Sequence, residues 1–558
     1  MTPIFQIPAH RSITPVFALL IVLLAWAAFS GLSAHPLNAI GDDQETLHDL
    51  SLISSHPDRF FSKQRQAPIR PSVDLVLLSG YLLWGKDPAG YHLLLVGLHS
   101  IAALLLFHAL LRLDTDRELA LVSALLFFLN VAHFRSIQWF ICINYIITFI
   151  FNLLTLIAYL HLLKKNNPVW QALAILALGA AVFSHPSGVA IVPFCAYLTW
   201  RQGASIRQTL IQTGPLIAGA IGFALAVYSF SPQTDEITGL LNRPDWTRLA
   251  LNPPWYLSRL FTSAHWLTPS GIGNTYQPWE IVLGCLAILG ALILYRSRIF
   301  PAADGAVWTL IMVLPFLNNP LERLTVGPSR QLYLASAGFS LVLAWALRAF
   351  LRRSALKPGR QKAIWAALLF SLTLLSIWHL KRAEAIDFWL VGRSHIAAGQ
   401  FQTGITQYER AFARAPDLIP IDTYYSWVPL LLSRGESPKE VLQNALVYHP
   451  DAPTLHFLLG VSAFLDNTPD RQAEQKMQEA LTQAKNPQKM QYGGALAFHN
   501  LAVFHKQSGR LSEAADLFQR ALTLYPDYAL ARKHLSEVLL QMGQEAQKQP
   551  RLLDPQNK

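Results

Sequence analysis

Apolar stretches of membrane-crossing length, separated by short clusters of basic residues, occupy the first two-thirds of this chain of 558 residues. A helix needs about 20 apolar residues to cross about 30 Å of hydrocarbon. About eleven runs approach that length: 13–34, 90–111, 119–134, 140–163, 169–184, 187–200, 208–230, 279–295, 306–321, 332–351 and 363–380. Backbone amides in lipid have to be paired within their own segment, so such runs fold as helices. The expected fold class is all-α, beginning with a polytopic transmembrane bundle. Charged residues are only 14% of the chain, against about 25% in an average soluble domain, which excludes a single soluble enzyme. The first run follows His10 and Arg11 but exceeds a signal-peptide core and has no clean small-x-small site after it. It reads as a retained helix.

A formal net charge of +11 would suit nucleic acid only if the basic residues formed one patch. Instead Arg112 and Arg117, Lys164 and Lys165, Arg201 and Arg207, Arg296 and Arg298, and the group from Arg348 to Lys362 fall between alternate runs. No nucleic-acid partner is expected. The positive-inside rule makes these loops and the N-terminus cytoplasmic. An odd number of spans then places everything after Leu380 on the outward side, together with two long loops, 35–89 and 231–278. Cys142, Cys195 and Cys285 lie inside apolar stretches without paired spacing, so neither a disulfide framework nor a zinc site is available.

From about residue 385 the pattern changes to short amphipathic helices in a register of about 34 residues, which resembles tetratricopeptide repeats. The clearest unit is 495–528, where Phe498, Leu501, Ala502, Gly509, Ala514, Phe518, Ala521 and Pro526 supply large and small packing residues, a tight turn and a helix stop. An earlier unit carries Gly392, Gly399, Tyr408, Ala411 and Pro416, and a slipped third runs from His456 through Leu459 and Gly460 to Ala480. The expected domains are therefore a transmembrane part, 1–384, a repeat α-solenoid, 385–546, and a disordered tail, 547–558. Such a solenoid either offers a groove to a protein or glycan partner or packs on the membrane part.

The first outward loop opens with Gly41-Asp42-Asp43-Gln44-Glu45, and carboxylates at a bilayer surface are expected to face solvent, a cation or a substrate. Then come Ala67-Pro68-Ile69-Arg70-Pro71, Trp84-Gly85-Lys86-Asp87-Pro88-Ala89-Gly90-Tyr91-His92, Leu98-His99-Ser100, His133-Phe134-Arg135-Ser136-Ile137-Gln138-Trp139 and Arg330-Gln331-Leu332-Tyr333-Leu334-Ala335-Ser336. In this order and spacing they resemble the transmembrane O-mannosyltransferases and their bacterial relatives, membrane glycosyltransferases of the C-type fold with C-terminal repeats. The resemblance covers nearly the whole chain. It departs from the family pattern at Ile69, where a Tyr is usual, at Arg135, where an acidic residue is usual, and at Ser184-His185-Pro186, where Ser-Lys-Glu is usual. No role is assigned to His185.

The resemblance implies an enzyme that moves a sugar from a polyprenyl-phosphate donor to an acceptor hydroxyl at the outward face, with inversion. It implies Asp42 or Asp43 as general base, Arg70 and Arg330 as donor-phosphate ligands, and Tyr91, His99, His133 and Tyr333 as possible substrate contacts. A bacterial inner membrane with a periplasmic repeat domain is the expected location. Asp42, Asp43 and Glu45 could lend oxygens to a divalent cation, but no second cluster completes a site and no metal is expected. Plainer readings remain for the residues: Arg70 and Arg330 as headgroup anchors, Trp84, Trp139, Trp255, Trp266 and Trp279 as interfacial aromatics. The rival for the whole chain is a non-catalytic membrane-anchored repeat scaffold for envelope assembly.

Overall fold

A computed structural model describes residues 14–230, 244–262, 276–319, 329–353 and 358–552, apart from 422, 435 and a set of positions between 451 and 508 that includes all of 463–490. Every regular element among the described residues is helical. The chain divides into two compact units, Met1–Arg414 and Ala415–Lys558. The first unit thus reaches beyond the boundary expected at 384.

The first unit opens with α1 (Thr14–Phe29), α2 (Asp42–Ser55) and α3 (Pro71–Trp84). It continues with α4 (Pro88–Arg112), α5 (Arg117–Phe128), α6 (Phe134–Gln138), α7 (Ile143–Lys165) and α8 (Pro168–Ser184). After these come α9 (Ile191–Arg201), α10 (Ile206–Phe230), α11 (Trp246–Phe261), α12 (Pro278–Ser297) and α13 (Ala302–Val313). The last three are α14 (Tyr333–Arg353), α15 (Pro358–Ala397) and α16 (Phe401–Arg414). Short polar side chains start several of them: Asp87 accepts from Ala89 N, Asp116 from Leu119 N and Asn167 from Val169 N, satisfying first-turn amides that have no helical partner.

Six of the described helices are long and apolar enough to cross a membrane: Pro88–Arg112, Phe140–Lys165, Ile206–Ser229, Pro278–Ser297, Arg330–Arg353 and Gly359–Ala397. The bent pair Arg117–Phe128 and Val131–Gln138 would add a seventh. That is fewer than the eleven spans expected, because run length counts apolar residues and not helical continuity. Asn130 caps a new turn inside the third run, and the 187–200 run is a 3-10 turn followed by the 11-residue α9. The first, fifth and ninth runs form the apolar helices Pro15–Phe29, Pro168–Ser184 and Ala302–Phe316, each shorter than 18 residues.

The helix of α7 is the axis of the unit: 78% of its apolar window is buried, against 11% for Ile206–Ser229 and Pro278–Ser297. Gly305 on α13 and Gly338 on α14 face one another so closely that a Cβ on either would collide with the other's carbonyl oxygen. Small residues at that crossing let the two backbones touch. The outward loop expected over 35–89 is folded into α2 and α3, while that over 231–278 holds α11; Trp266 lies outside the described residues.

The C-terminal end of α15 pairs with α16, and a Cβ at Gly392 would meet Tyr408 Cδ1 at 2.8 Å, the close approach expected of a repeat hairpin. The second unit holds α17 (Thr423–Ser433), α18 (Lys439–Tyr448), α19 (Gln491–Gln507), α20 (Leu511–Leu524) and α21 (Ala529–Leu552). Ala495, Ala502, Ala514, Phe518 and Ala521 form the core between α19 and α20, and Gly509 turns the chain between them with φ +74°. Most of the unit expected over 456–480 lies outside the described residues. Helix α21 continues through residues 547–552, the start of the expected tail.

Candidate active site

Gly41 precedes α2 with φ +81°, in the left-handed region that favours glycine, and turns the chain so that α2 begins on the two aspartates. Asp42, Asp43 and Glu45 in the first turn complement the positive end of the helix dipole. Successive helical residues point about 100° apart, and the two aspartates go to different surroundings. Asp42 and Glu45, three residues apart on one face, line a cavity of about 380 Å³. Asp43 turns inward and is buried.

Asp43 Oδ2 accepts from Asn38 N at 2.9 Å and from Asn38 Nδ2 at 2.8 Å, and its Oδ1 accepts from Trp139 Nε1 at 2.8 Å. Burial pushes its carboxyl up to about 6, against the pull of those hydrogen bonds and of Arg135. Three protein donors thus engage Asp43, whereas Asp42 lines the cavity.

Arg70 and Arg330 line the same cavity as Asp42. Arg70 is placed by the segment before α3. The Arg65 guanidinium holds Asp74 through two bonds of 2.8 and 3.0 Å and Asp49 at 3.3 Å, while Gln66 N, Ala67 N and Arg70 N donate to the same two carboxylates. Asp49 and Asp74 are buried, and one guanidinium with these amides compensates both. Arg330 opens the 3-10 turn that leads into α14, with its guanidinium 5.5 Å from the Trp139 ring centroid. Trp139, read from the sequence as an interfacial aromatic, thus connects Asp43 to Arg330. It also carries Arg135 at 4.6 Å, and Arg135 forms an ion pair with the buried Asp387, which His35 Nδ1 meets at 2.7 Å.

Tyr91, His99, His133 and Tyr333 are not on the cavity wall. They belong to the interior of the bundle. His99 Nε2 lies 3.0 Å from the Phe128 carbonyl, which can only accept, and Nδ1 lies 2.7 Å from the Tyr333 hydroxyl. His133 Nδ1 meets Ser336 Oγ at 2.8 Å, and Tyr91 donates to the Gly85 carbonyl at 2.7 Å. The structure therefore does not bring these four to the cavity that Asp42 lines.

The cavity also gathers residues to which the sequence assigned no site role: Tyr145 on α7, His185 in the hairpin after α8, Phe316, Asn319 and Gln331. Apart from Phe316 and Asn319, which are three residues apart, they come from different segments, and no sequence pattern joins them. Among the described residues no group of three His, Cys, Asp or Glu side chains is arranged to hold a metal ion. Asp42 and Glu45 are the two carboxylates of the expected acidic cluster that reach the cavity.

The site therefore combines a carboxylate at a helix start, two guanidinium groups, and an imidazole beside aromatic rings. No curated protein matches the chain. Two stretches, 495–528 and 439–489, match the tetratricopeptide repeat, so the C-terminal part of the chain carries two such repeats.

Proposed function

We propose that the chain is an integral-membrane glycosyltransferase that moves one sugar from a polyprenyl-phosphate donor to an acceptor hydroxyl on the outward face. The single observation that carries this reading is that Asp42, Arg70 and Arg330, from three separate segments, line one cavity. The resemblance of the motifs that hold them adds to it.

In this mechanism the Asp42 carboxylate takes the acceptor's O–H proton as that oxygen attacks the anomeric carbon. The bond from that carbon to the phosphate oxygen breaks, the electron pair leaves with the lipid phosphate, and the configuration inverts. Negative charge grows on the departing phosphate, and Arg70 and Arg330 are suited to hold it through planar, paired donors. Asp43 supports the start of α2 and stands behind Trp139. No step requires a metal. The tetratricopeptide repeats would hold the acceptor, a protein or a glycan, since repeats of this kind commonly bind partner chains. A bacterial inner membrane with the repeats in the periplasm is part of the proposal.

The test is mass spectrometry of envelope glycans and glycoproteins from cells lacking the protein, rescued with wild type, Asp42→Asn or Asp43→Asn at equal expression. A sugar-sized mass lost in the deletion and restored by wild type but not by Asp42→Asn supports catalysis and identifies sugar and acceptor. Full rescue by Asp42→Asn sinks the general base and favours the scaffold.

A further inference from the structure

Segment 35–40 leads into Gly41 and the first turn of α2, and two helices divide its polar groups between them. Asn38 is given to α2: its N and Nδ2 donate to Asp43 Oδ2 at 2.9 and 2.8 Å, and its carbonyl accepts from Gln44 Nε2 at 2.7 Å. The residues on either side of it are given to the C-terminal end of α15. Ala39 N donates to Ser394 Oγ at 3.0 Å, and the Leu37 carbonyl lies 3.2 Å from His395 Nε2. A carbonyl can only accept, so Nε2 is the donor.

The same helical hairpin holds the segment at its start. His35 Nδ1 meets Asp387 at 2.7 Å, and Arg410 of α16 donates to the Ala34 carbonyl at 3.2 Å. Asp387 and Ser394 stand two turns apart on one face of α15. His395 Nδ1 lies 2.7 Å from the side-chain amide of Gln400, just past Gly399, whose φ of +75° turns the chain from α15 into α16.

Gly41 cannot fix the direction of α2 by itself. A glycine is conformationally permissive, and a Cβ at this one would meet no atom within 4 Å, so the turn has no packing of its own. The bonds to residues 37–39 are what hold it.

We propose that Ser394 and His395 are positioning residues for Asp42: by holding Ala39 N and the Leu37 carbonyl they set where α2 begins and so aim the general base at the acceptor. This rests on the transferase reading above. A carboxylate takes a proton only within hydrogen-bond reach of it, and a displacement of about 1 Å from a change remote from the chemistry can cost about 10²-fold. The α15–α16 hairpin then has a part in the reaction as well as in the start of the repeats.

Full-length variants are expressed at equal levels in cells lacking the protein, and the rate at which the sugar-sized mass returns to the envelope is followed by mass spectrometry. Amide hydrogen exchange over 37–45 is read on the same variants purified in detergent, with α7 as the reference. Ser394→Ala and His395→Phe are each expected to slow the return about 10- to 100-fold. Both should speed exchange over 37–45 and leave α7 unchanged. Ser394→Thr keeps an acceptor for Ala39 N, and His395→Gln keeps a donor for the Leu37 carbonyl; each is expected to restore most of the rate and of the protection.

A wild-type rate in both Ser394→Ala and His395→Phe overturns the positioning role, as does a slow return with unchanged exchange over 37–45. Faster exchange in α7 as well, or no recovery in either conservative variant, makes the two residues plain supports of the fold and overturns it too. Each of these outcomes leaves the transferase reading standing. A wild type that returns no mass overturns the transferase reading together with this one.

Discussion

The indole of Trp139 donates to Asp43 Oδ1 at 2.8 Å and ties the start of α2 to the segment ahead of α7. The other oxygen of Asp43 takes both N–H groups of Asn38. Asp42, one residue earlier, stands on the cavity wall. Two adjacent aspartates thus carry separate duties, and substitutions at each should fail in separate ways.

Asp42→Asn is expected to lower transfer by about 10²–10⁴-fold, the usual worth of a positioned general base, with an unchanged melting temperature. Asp43→Asn places an amide NH₂ against donors on one side of the group and should lower the melting temperature. Rates from purified protein, alongside thermal melts of the same preparations, separate the two effects. Equal thermal loss in both variants would contradict this division.

Asp43 also gives stability a pH dependence of known sign. Its carboxyl is raised by burial to about 6 in the folded chain, against about 4 when unfolded. Between those values the folded state binds more protons than the unfolded one, so stability falls as pH rises through the window. The full effect is on the order of 3 kcal/mol. Melting curves across that range should show this slope in wild type and its absence in Asp43→Ala; parallel slopes would exclude Asp43 as the source.

Removing the Arg65 guanidinium leaves Asp49 and Asp74 buried without their cation, and breaking such an arrangement costs about 3–5 kcal/mol. Arg65→Ala should therefore lower stability and weaken lipid-phosphate binding through the displacement of Arg70. Arg65→Lys should recover little, since one ammonium cannot reproduce the two-pronged contact with Asp74 and the third bond to Asp49. Full recovery by lysine would mean that charge alone holds the segment.

Trp139→Phe keeps a ring near Arg330 and Arg135 but deprives Asp43 of one donor. It should destabilise by about 1–3 kcal/mol, as expected when a buried acceptor loses its partner. Combined with Asp43→Ala its effect should be smaller than the sum, because both remove the same bond. Additive melting shifts would show that the indole acts through something else.

Asp42, Arg70 and Arg330 were singled out through the resemblance of the motifs around them, and the structure places all three on one cavity wall. The difference between Asp42 and Asp43 was not legible, since it arises from the rotation between neighbours on a helix whose start is fixed by Gly41. His99 and His133 looked like ligands for the reason that a buried imidazole on an apolar helix reads the same whether it meets a substrate or a Tyr333 hydroxyl. Tyr145, His185 and Phe316 carried no shared pattern, and long-range packing alone assembles them. The repeat over 495–528 was legible in detail because its small residues, turn glycine and terminal proline recur at fixed spacing. The described residues hold six helices of spanning length, seven with the bent pair, against about eleven apolar runs, and Asn130 shows one reason: it interrupts a helix without interrupting hydrophobicity.

Helix α15 runs through 40 residues as one element, about 60 Å at 1.5 Å per residue, twice the roughly 30 Å of a hydrocarbon core. Its first half exposes Ile364, Phe370, Leu374 and Leu375, and its second half buries Glu384 and Asp387. Between Arg360 and Val391 it contains neither glycine nor proline, the usual places for a helix to bend. It is a mast more than a span: apolar side chains outward at one end, stayed to Arg135 and His35 through Asp387 near the other. With neither glycine nor proline to kink it, a tilt of this helix reaches Asp387, one ion pair away from Arg135 and the ring of Trp139.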